Sequence, residues 1–90
     1  MLELKMTGQF KKDLKLAKKR RLKMEKLELV LQMLIEEKTL DIKYRDHALT
    51  GDYIGFRECH VESDWLLVYM IDHGQLILTA SRTGTHSDLF

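Results

Sequence analysis

The sequence has no proline, and from Gln9 to Thr50 it has no glycine either. The two residue types that most often end a helix or make a turn are therefore absent from that stretch. Element boundaries there have to be read from the phase of the apolar residues. There is one cysteine, Cys59, which excludes an internal disulfide and makes a reducing cytoplasmic setting the expected one. No apolar run approaches the ~20 residues needed to span a bilayer, so no membrane association is expected. Glu3 and Lys5 interrupt the only apolar positions at the N-terminus, so no secretory signal is expected. Neither HExxH nor Cys-x-x-Cys occurs, which leaves no compact metal signature, and the expectation is no metal and no cofactor. A Ser/His/Asp hydrolase would need a nucleophile elbow, and none is present. Repeats and low-complexity segments are also missing.

What remains is a chain of 90 residues, 44% hydrophobic and 32% charged. That is ordinary for a globular protein and sized for a single domain over residues 1–90. The formal charge of +1 conceals an asymmetry. Residues 1–26 hold ten Lys and Arg against three acids, and the rest holds five against eleven. A basic front portion is the footprint expected for a nucleic acid or an acidic protein partner, although a solvated lysine-rich helix face has the same composition.

Leu2, Leu4 and Met6 alternate with charged residues, which predicts a short strand over 1–6. Thr7 can cap a helix with its hydroxyl. Phe10, Leu14 and Ala17 then recur at helical spacing, but Met24, Leu27, Val30, Leu31, Leu34 and Ile35 lie about a quarter turn away at roughly 100° per residue. One straight helix could not bury both stripes, so two helices are predicted, near 8–19 and 23–37. Residues 38–55 read as a loop, punctuated by Gly51 and Gly55. Strands follow at 56–61, 65–71 and 75–83, with Asp72-His73-Gly74 as the turn between the last two. The run Trp65-Leu-Leu-Val-Tyr-Met-Ile71 carries no charge and reads as a strand buried on both faces. The expected fold is α+β, a small antiparallel sheet packed on two helices in the order β-α-α-β-β-β, with Leu14, Leu27, Leu31, Leu67 and Tyr69 in the core.

That hairpin gathers His60, Asp64, Arg82 and His86 at one end of the sheet. Histidine donates or accepts a proton near neutral pH, and Arg82 can hold a phosphate with paired donors. RNA cleavage needs little more, because the 2′-hydroxyl of the substrate is itself the nucleophile. His47 lies in the long loop, and His73 sits at a hairpin tip away from the others. The bland alternative is that all four histidines are surface or strand-end residues.

Three segments carry a more specific signal. They are Asp46-His47-Ala48-Leu49-Thr50-Gly51, Phe56-Arg57-Glu58-Cys59-His60-Val61-Glu62-Ser63-Asp64-Trp65, and Arg82-Thr83-Gly84-Thr85-His86-Ser87-Asp88-Leu89-Phe90. In this order and spacing they resemble the YafQ branch of the RelE/ParE toxin superfamily, over the whole chain. The resemblance implies a curved antiparallel sheet on two helices and the toxin of a type II toxin–antitoxin pair. It implies ribosome-dependent endonucleolytic cleavage of translated mRNA, and a substrate that brings its own nucleophile needs only general acid–base catalysis, without metal. By motif position it implies a site made of His47, His60, Asp64, Trp65, Arg82, His86 and Phe90, with His86 as proton donor and either His47 or His60 as base. Trp65 is either a stacking surface for a base or core filling. Lys18, Lys19, Arg20 and Arg21 are the expected contacts to RNA phosphates. The implied partners are the ribosome with its mRNA, and a cognate antitoxin of the RelB or DinJ kind with an acidic segment, through which the complex would reach operator DNA. The competing reading is a non-catalytic module that uses the basic helices to hold RNA or an acidic protein.

Overall fold

In the computed structural model, which describes residues 1–90, the N-terminal alternation forms strand β1 (Glu3–Met6). Thr7 ends it and caps α1 (Gly8–Lys19), its Oγ1 accepting from the Phe10 N–H at 3.0 Å. The same hydroxyl donates to the Ser81 carbonyl at 2.9 Å, which ties the start of the helix to the last strand. Helix α1 stops although no glycine is available. Arg21 adopts the left-handed conformation (φ 59°), and the Leu22 N–H reaches back to the Ala17 carbonyl at 3.1 Å. This is the hydrogen-bond pattern in which glycine usually takes the left-handed position. Helix α2 (Met24–Ile35) ends the same way, with Glu37 left-handed (φ 59°) and Lys38 N–H bonded to the Met33 carbonyl. Two helices replace one long one, as the phase of the stripes predicts.

The segment 38–55, expected as loop, contains two single 3₁₀ turns (Ile42–Tyr44 and Gly51–Tyr53) and a two-residue strand β2 (His47–Ala48). Strands β3 (Arg57–Glu62), β4 (Trp65–Asp72) and β5 (Ile77–Gly84) follow, and a short helix α3 (His86–Leu89) ends the chain. The sheet runs β1-β5-β4-β3-β2. All pairings are antiparallel except β1 with β5, so the sheet is mixed rather than wholly antiparallel. Tight turns force antiparallel neighbours, but β1 meets β5 only after the rest of the chain has intervened, so packing sets its direction.

The main core lies between the sheet and the two helices, where Phe10, Leu27, Val30, Leu67, Tyr69 and Leu78 are at most 1% exposed. Each such side chain contributes roughly 1.5–3 kcal/mol by leaving water. Leu31 is buried as expected, whereas Leu14 is partly buried. The buried line of α1 is Phe10, Asp13 and Ala17. On the other sheet face Leu66, Val68 and Leu89 form a second small cluster, with Leu49 and Phe56 packed on it. Strand β4 is thus buried on both sides, as its uncharged run requires. No helix is long and apolar enough to cross a membrane.

Candidate active site

The second face carries the polar residues. Glu58 pairs across the ladder with His47 on β2 and with Val68 on β4, and His60, two residues on, faces the same way. Arg82 arrives there through an irregularity. Leu78 and Ala80 face the main core, and simple alternation would send Arg82 with them. A bulge at Ser81 shifts the phase, so that Arg82 pairs with Val68 and Thr83 turns inward. Gly84 then lets the chain turn into α3. With φ at 155°, a Cβ there would stand 2.9 Å from Asp88 Oδ2. Thr85 and Asp88 close a reciprocal cap around the start of α3, and Arg20 grips Asp88 at 2.6 Å. That pair, aided by the Thr85 backbone, holds the Asp88 carboxyl far below the usual carboxylate range. It also fixes His86 and Phe90 relative to α1.

Three histidines converge, each oriented through Nδ1. His47 Nδ1 lies 2.7 Å from the Arg45 carbonyl, His60 Nδ1 3.3 Å from the Ser63 carbonyl, and His86 Nδ1 3.0 Å from Asp64 Oδ1. Those partners only accept, so in every case Nδ1–H donates and Nε2 is the working atom. Asp64 also accepts from the His86 backbone N–H at 3.2 Å. Hydrogen bonds from the His86 ring and backbone keep the Asp64 carboxyl below its ordinary range. In the sequence Asp64 stands four residues from His60. The structure gives Asp64 to His86 instead, because the β3–β4 turn presents it towards the C-terminal helix.

Between the rings lies a residue that sequence reasoning passed over. Glu58 is 5% exposed, with Oε2 3.4 Å from His47 Nε2 and Oε1 3.8 Å from His86 Nε2. Oε1 has no hydrogen-bond partner at all. A buried carboxylate oxygen without a donor is costly, and such exceptions concentrate at functional sites. The signal was available, since Glu58 and His60 are two apart on one strand and must share a face. Glu58, His60 and His86 also bring ligand atoms within 4.8 Å of one another, a spacing that one cation could close.

Arg82 is anchored by a second missed residue. Its Nε and Nη2 donate to the two Asp13 oxygens at 2.8 and 3.3 Å, and the Thr83 N–H donates to Asp13 Oδ2 at 3.1 Å. An acid within the apolar line of a basic helix was the sequence clue. Asp46, beside His47, is held in turn by the Tyr69 hydroxyl and by Arg57 at 3.0 Å. Phe90 is exposed and meets Tyr53 edge-on at 5.3 Å, with the His86 ring 6.4 Å away. Trp65 is not at the surface. It is 3% exposed in the main core, and its indole N–H donates to Thr83 Oγ1 at 2.8 Å, so it offers no stacking surface to a substrate. Lys18, Lys19 and Arg21 are exposed and outside every ion pair, whereas Arg20 is engaged by Asp88. His73 lies at its turn, exposed and outside the cluster.

Fold and site together define a class: a small α+β domain with an arginine and three Nδ1-anchored histidines around a buried carboxylate, equipped for proton transfer beside a negatively charged group. The family described as "Bacterial toxin of type II toxin-antitoxin system, YafQ" matches residues 2–90. The chain is 42% identical over 89 residues to the mRNA interferase toxin YafQ of Escherichia coli strain K12, covering 98% of this chain and 95% of that protein. It superposes on the toxin in a crystal structure of the E. coli DinJ–YafQ complex with a TM-score of 0.91 and 41% identity, covering 100% of this chain and 99% of that one. A metal-bound toxin from Helicobacter pylori is equally similar, with a TM-score of 0.94, 41% identity and 100% of both chains covered. The chain belongs to the YafQ family of bacterial type II toxin–antitoxin toxins.

Proposed function

We propose that this toxin is an endoribonuclease that cuts translated mRNA on the ribosome, in the cytoplasm, by metal-independent acid–base catalysis. The observation that carries the reading is the convergence of three Nδ1-anchored histidines beside an anchored arginine on an open sheet face. The name of the 42%-identical relative, an mRNA interferase, supports the substrate class.

In this mechanism His60 Nε2 removes the proton of the 2′-hydroxyl, and the 2′-oxygen attacks the adjacent phosphorus. The bond from phosphorus to the 5′-oxygen breaks as His86 delivers a proton to that oxygen from Nε2. Asp64 holds the opposite nitrogen throughout. The His60 and His86 ring centroids are 5.8 Å apart, so both rings can reach one phosphodiester linkage. His47 lies against Glu58 and is the second candidate for the base. Arg82 steadies charge on the phosphate oxygens with a fork already oriented by Asp13. Phe90, next to Tyr53, supplies an aromatic surface for a neighbouring base. Lys18, Lys19 and Arg21 contact RNA phosphates. The products are a 2′,3′-cyclic phosphate and a 5′-hydroxyl.

A cation held by Glu58, His60 and His86 would engage the lone pairs that this chemistry uses. Cleavage on intact ribosomes is therefore expected to tolerate zinc and copper chelators and to fall when either metal is added. Activity restored only by zinc or manganese, or a 5′-phosphate product, would overturn the mechanism. The partner is a DinJ-like antitoxin whose acidic segment covers the basic helices and blocks His47, His60 and His86. Through it the complex reaches operator DNA. Co-expression of that antitoxin should relieve growth inhibition, and unchanged inhibition would sink the partner assignment.

A further inference from the structure

Beside His60 the surface opens into a groove of about 550 Å³, within the ~300–1,000 Å³ typical of sites that hold small molecules. Its walls include Lys26, Lys43, Tyr44, Arg45, His60 and Glu62, and neither His86 nor Phe90 lines it. Only Glu62 is acidic, and it is matched by Lys26 at 2.7 Å. Lys43, 5.2 Å from the centroid of the Tyr44 ring, and Arg45 form no ion pair. Arg45 is also held in the left-handed region (φ 48°), with its carbonyl receiving the His47 ring N–H. A non-glycine residue in that conformation costs roughly 1–2 kcal/mol. The strained residue thus serves the site twice, aiming His47 through its backbone and presenting a free cation with its side chain.

We propose that this groove binds the phosphodiester backbone of the RNA strand on the 5′ side of the cut. The inference rests on the proposed cleavage reaction. Charge complementarity selects the occupant, and the position of His60 selects the polarity. His86, the proposed donor to the leaving 5′-oxygen, lies towards Phe90 and Tyr53, so the downstream nucleotide belongs on that aromatic side. The nucleotide bearing the 2′-hydroxyl is then at His60, and its upstream phosphates run past Arg45 and Lys43.

The test uses Arg45→Gly combined with Lys43→Gln. Glycine takes the left-handed conformation without steric cost, so the turn and the carbonyl that holds His47 are kept while the cation is removed. Binding of a single-stranded RNA, blocked by a 2′-deoxy sugar at the cleavage position, is measured against salt. Each lost phosphate contact on a single strand lowers the log–log slope by ~0.7, so the double variant should lose ~1.4 in slope. Lys5→Gln, on β1 at the opposite edge of the sheet, should lose nothing. On programmed ribosomes a neutral methylphosphonate upstream of the cut should raise KM for wild type and leave KM of the double variant where it is. Arg45→Lys should recover part of the binding.

An unchanged slope, a methylphosphonate effect found only downstream, or wild type that fails to bind the oligonucleotide at low salt overturns the groove. So does a double variant that binds RNA normally but no longer binds the acidic antitoxin. Wild type that binds RNA through the groove yet never cleaves it refutes the proposed reaction and leaves the groove standing.

Discussion

Asp13 is the residue whose removal should be felt both in the fold and in the site. It is 8% exposed and accepts four bonds, from Arg82 Nε and Nη2, from the Thr83 backbone and from Gln9 Nε2. Asp13→Ala leaves the buried Thr83 N–H without an acceptor, a cost of about 1–3 kcal/mol. The Arg82 side chain is 27% exposed and can turn partly to water, so the lost ion pair is discounted to about 0.5–1 kcal/mol. Together a loss of about 2–3 kcal/mol is expected, a large share of the ~5–15 kcal/mol that a domain has. At ~4–8 °C per kcal/mol for a domain of this size, Tm should fall by about 10–20 °C. Asp13→Asn retains an acceptor for Thr83 and should cost about 1 kcal/mol, yet it loses the fork that orients Arg82. Its kcat on ribosomes should therefore fall by more than its stability loss explains. Urea denaturation measures the first effect, and single-turnover cleavage the second. In a double-mutant cycle, Asp13→Asn and Arg82→Gln should be non-additive in kcat. An Asp13→Ala variant within 0.5 kcal/mol of wild type, or an additive cycle, would refute the anchoring argument.

His86→Ala should lose ~10²–10⁴-fold in cleavage rate while keeping its fold and ribosome binding, since the ring is exposed, and His73→Ala should cleave as wild type does. Arg82→Lys should be tolerated poorly, because one point charge cannot reproduce the fork that meets Asp13 and a phosphate together. Asp88 titrates far below its unfolded value because of Arg20, so its contribution is fully present above the ordinary carboxylate range and is lost as pH falls through the folded value. Acid unfolding followed by circular dichroism should accordingly begin at higher pH in Arg20→Gln than in wild type. Burial pushes the Cys59 thiol up to about 12, so a thiol reagent at pH 8 should label it only in denaturant. Arg21→Gly should stabilise the chain by about 0.5–1 kcal/mol in thermal melts, because glycine removes a left-handed strain. The same change should weaken ribosome engagement.

The sequence by itself determined the two helices, because two apolar stripes out of phase cannot face one sheet. It determined that β4 is central, because an uncharged run needs cover on both sides. It also held the histidine motifs that place the chain in its family. Other features were set only when segments far apart in the chain met. The direction of β1 follows from packing against β5, with no turn to dictate it. The helix ends rest on Arg21 and Glu37 in a conformation that composition does not advertise. The bulge at Ser81 turns Arg82 away from the core, against the alternation that the strand would otherwise impose. Asp64 serves His86 rather than the nearer His60, because a tight turn and a capped terminal helix bring the two within hydrogen-bond reach. Trp65 lies in the core, since its indole N–H finds Thr83 there. Glu58 acquires its place between His47 and His86 from cross-strand register and from α3, and burial then leaves one of its oxygens without a donor. Periodicity reports which face of an element is apolar; which polar groups share the other face is decided by register, bulges and caps, and those are properties of the assembled sheet.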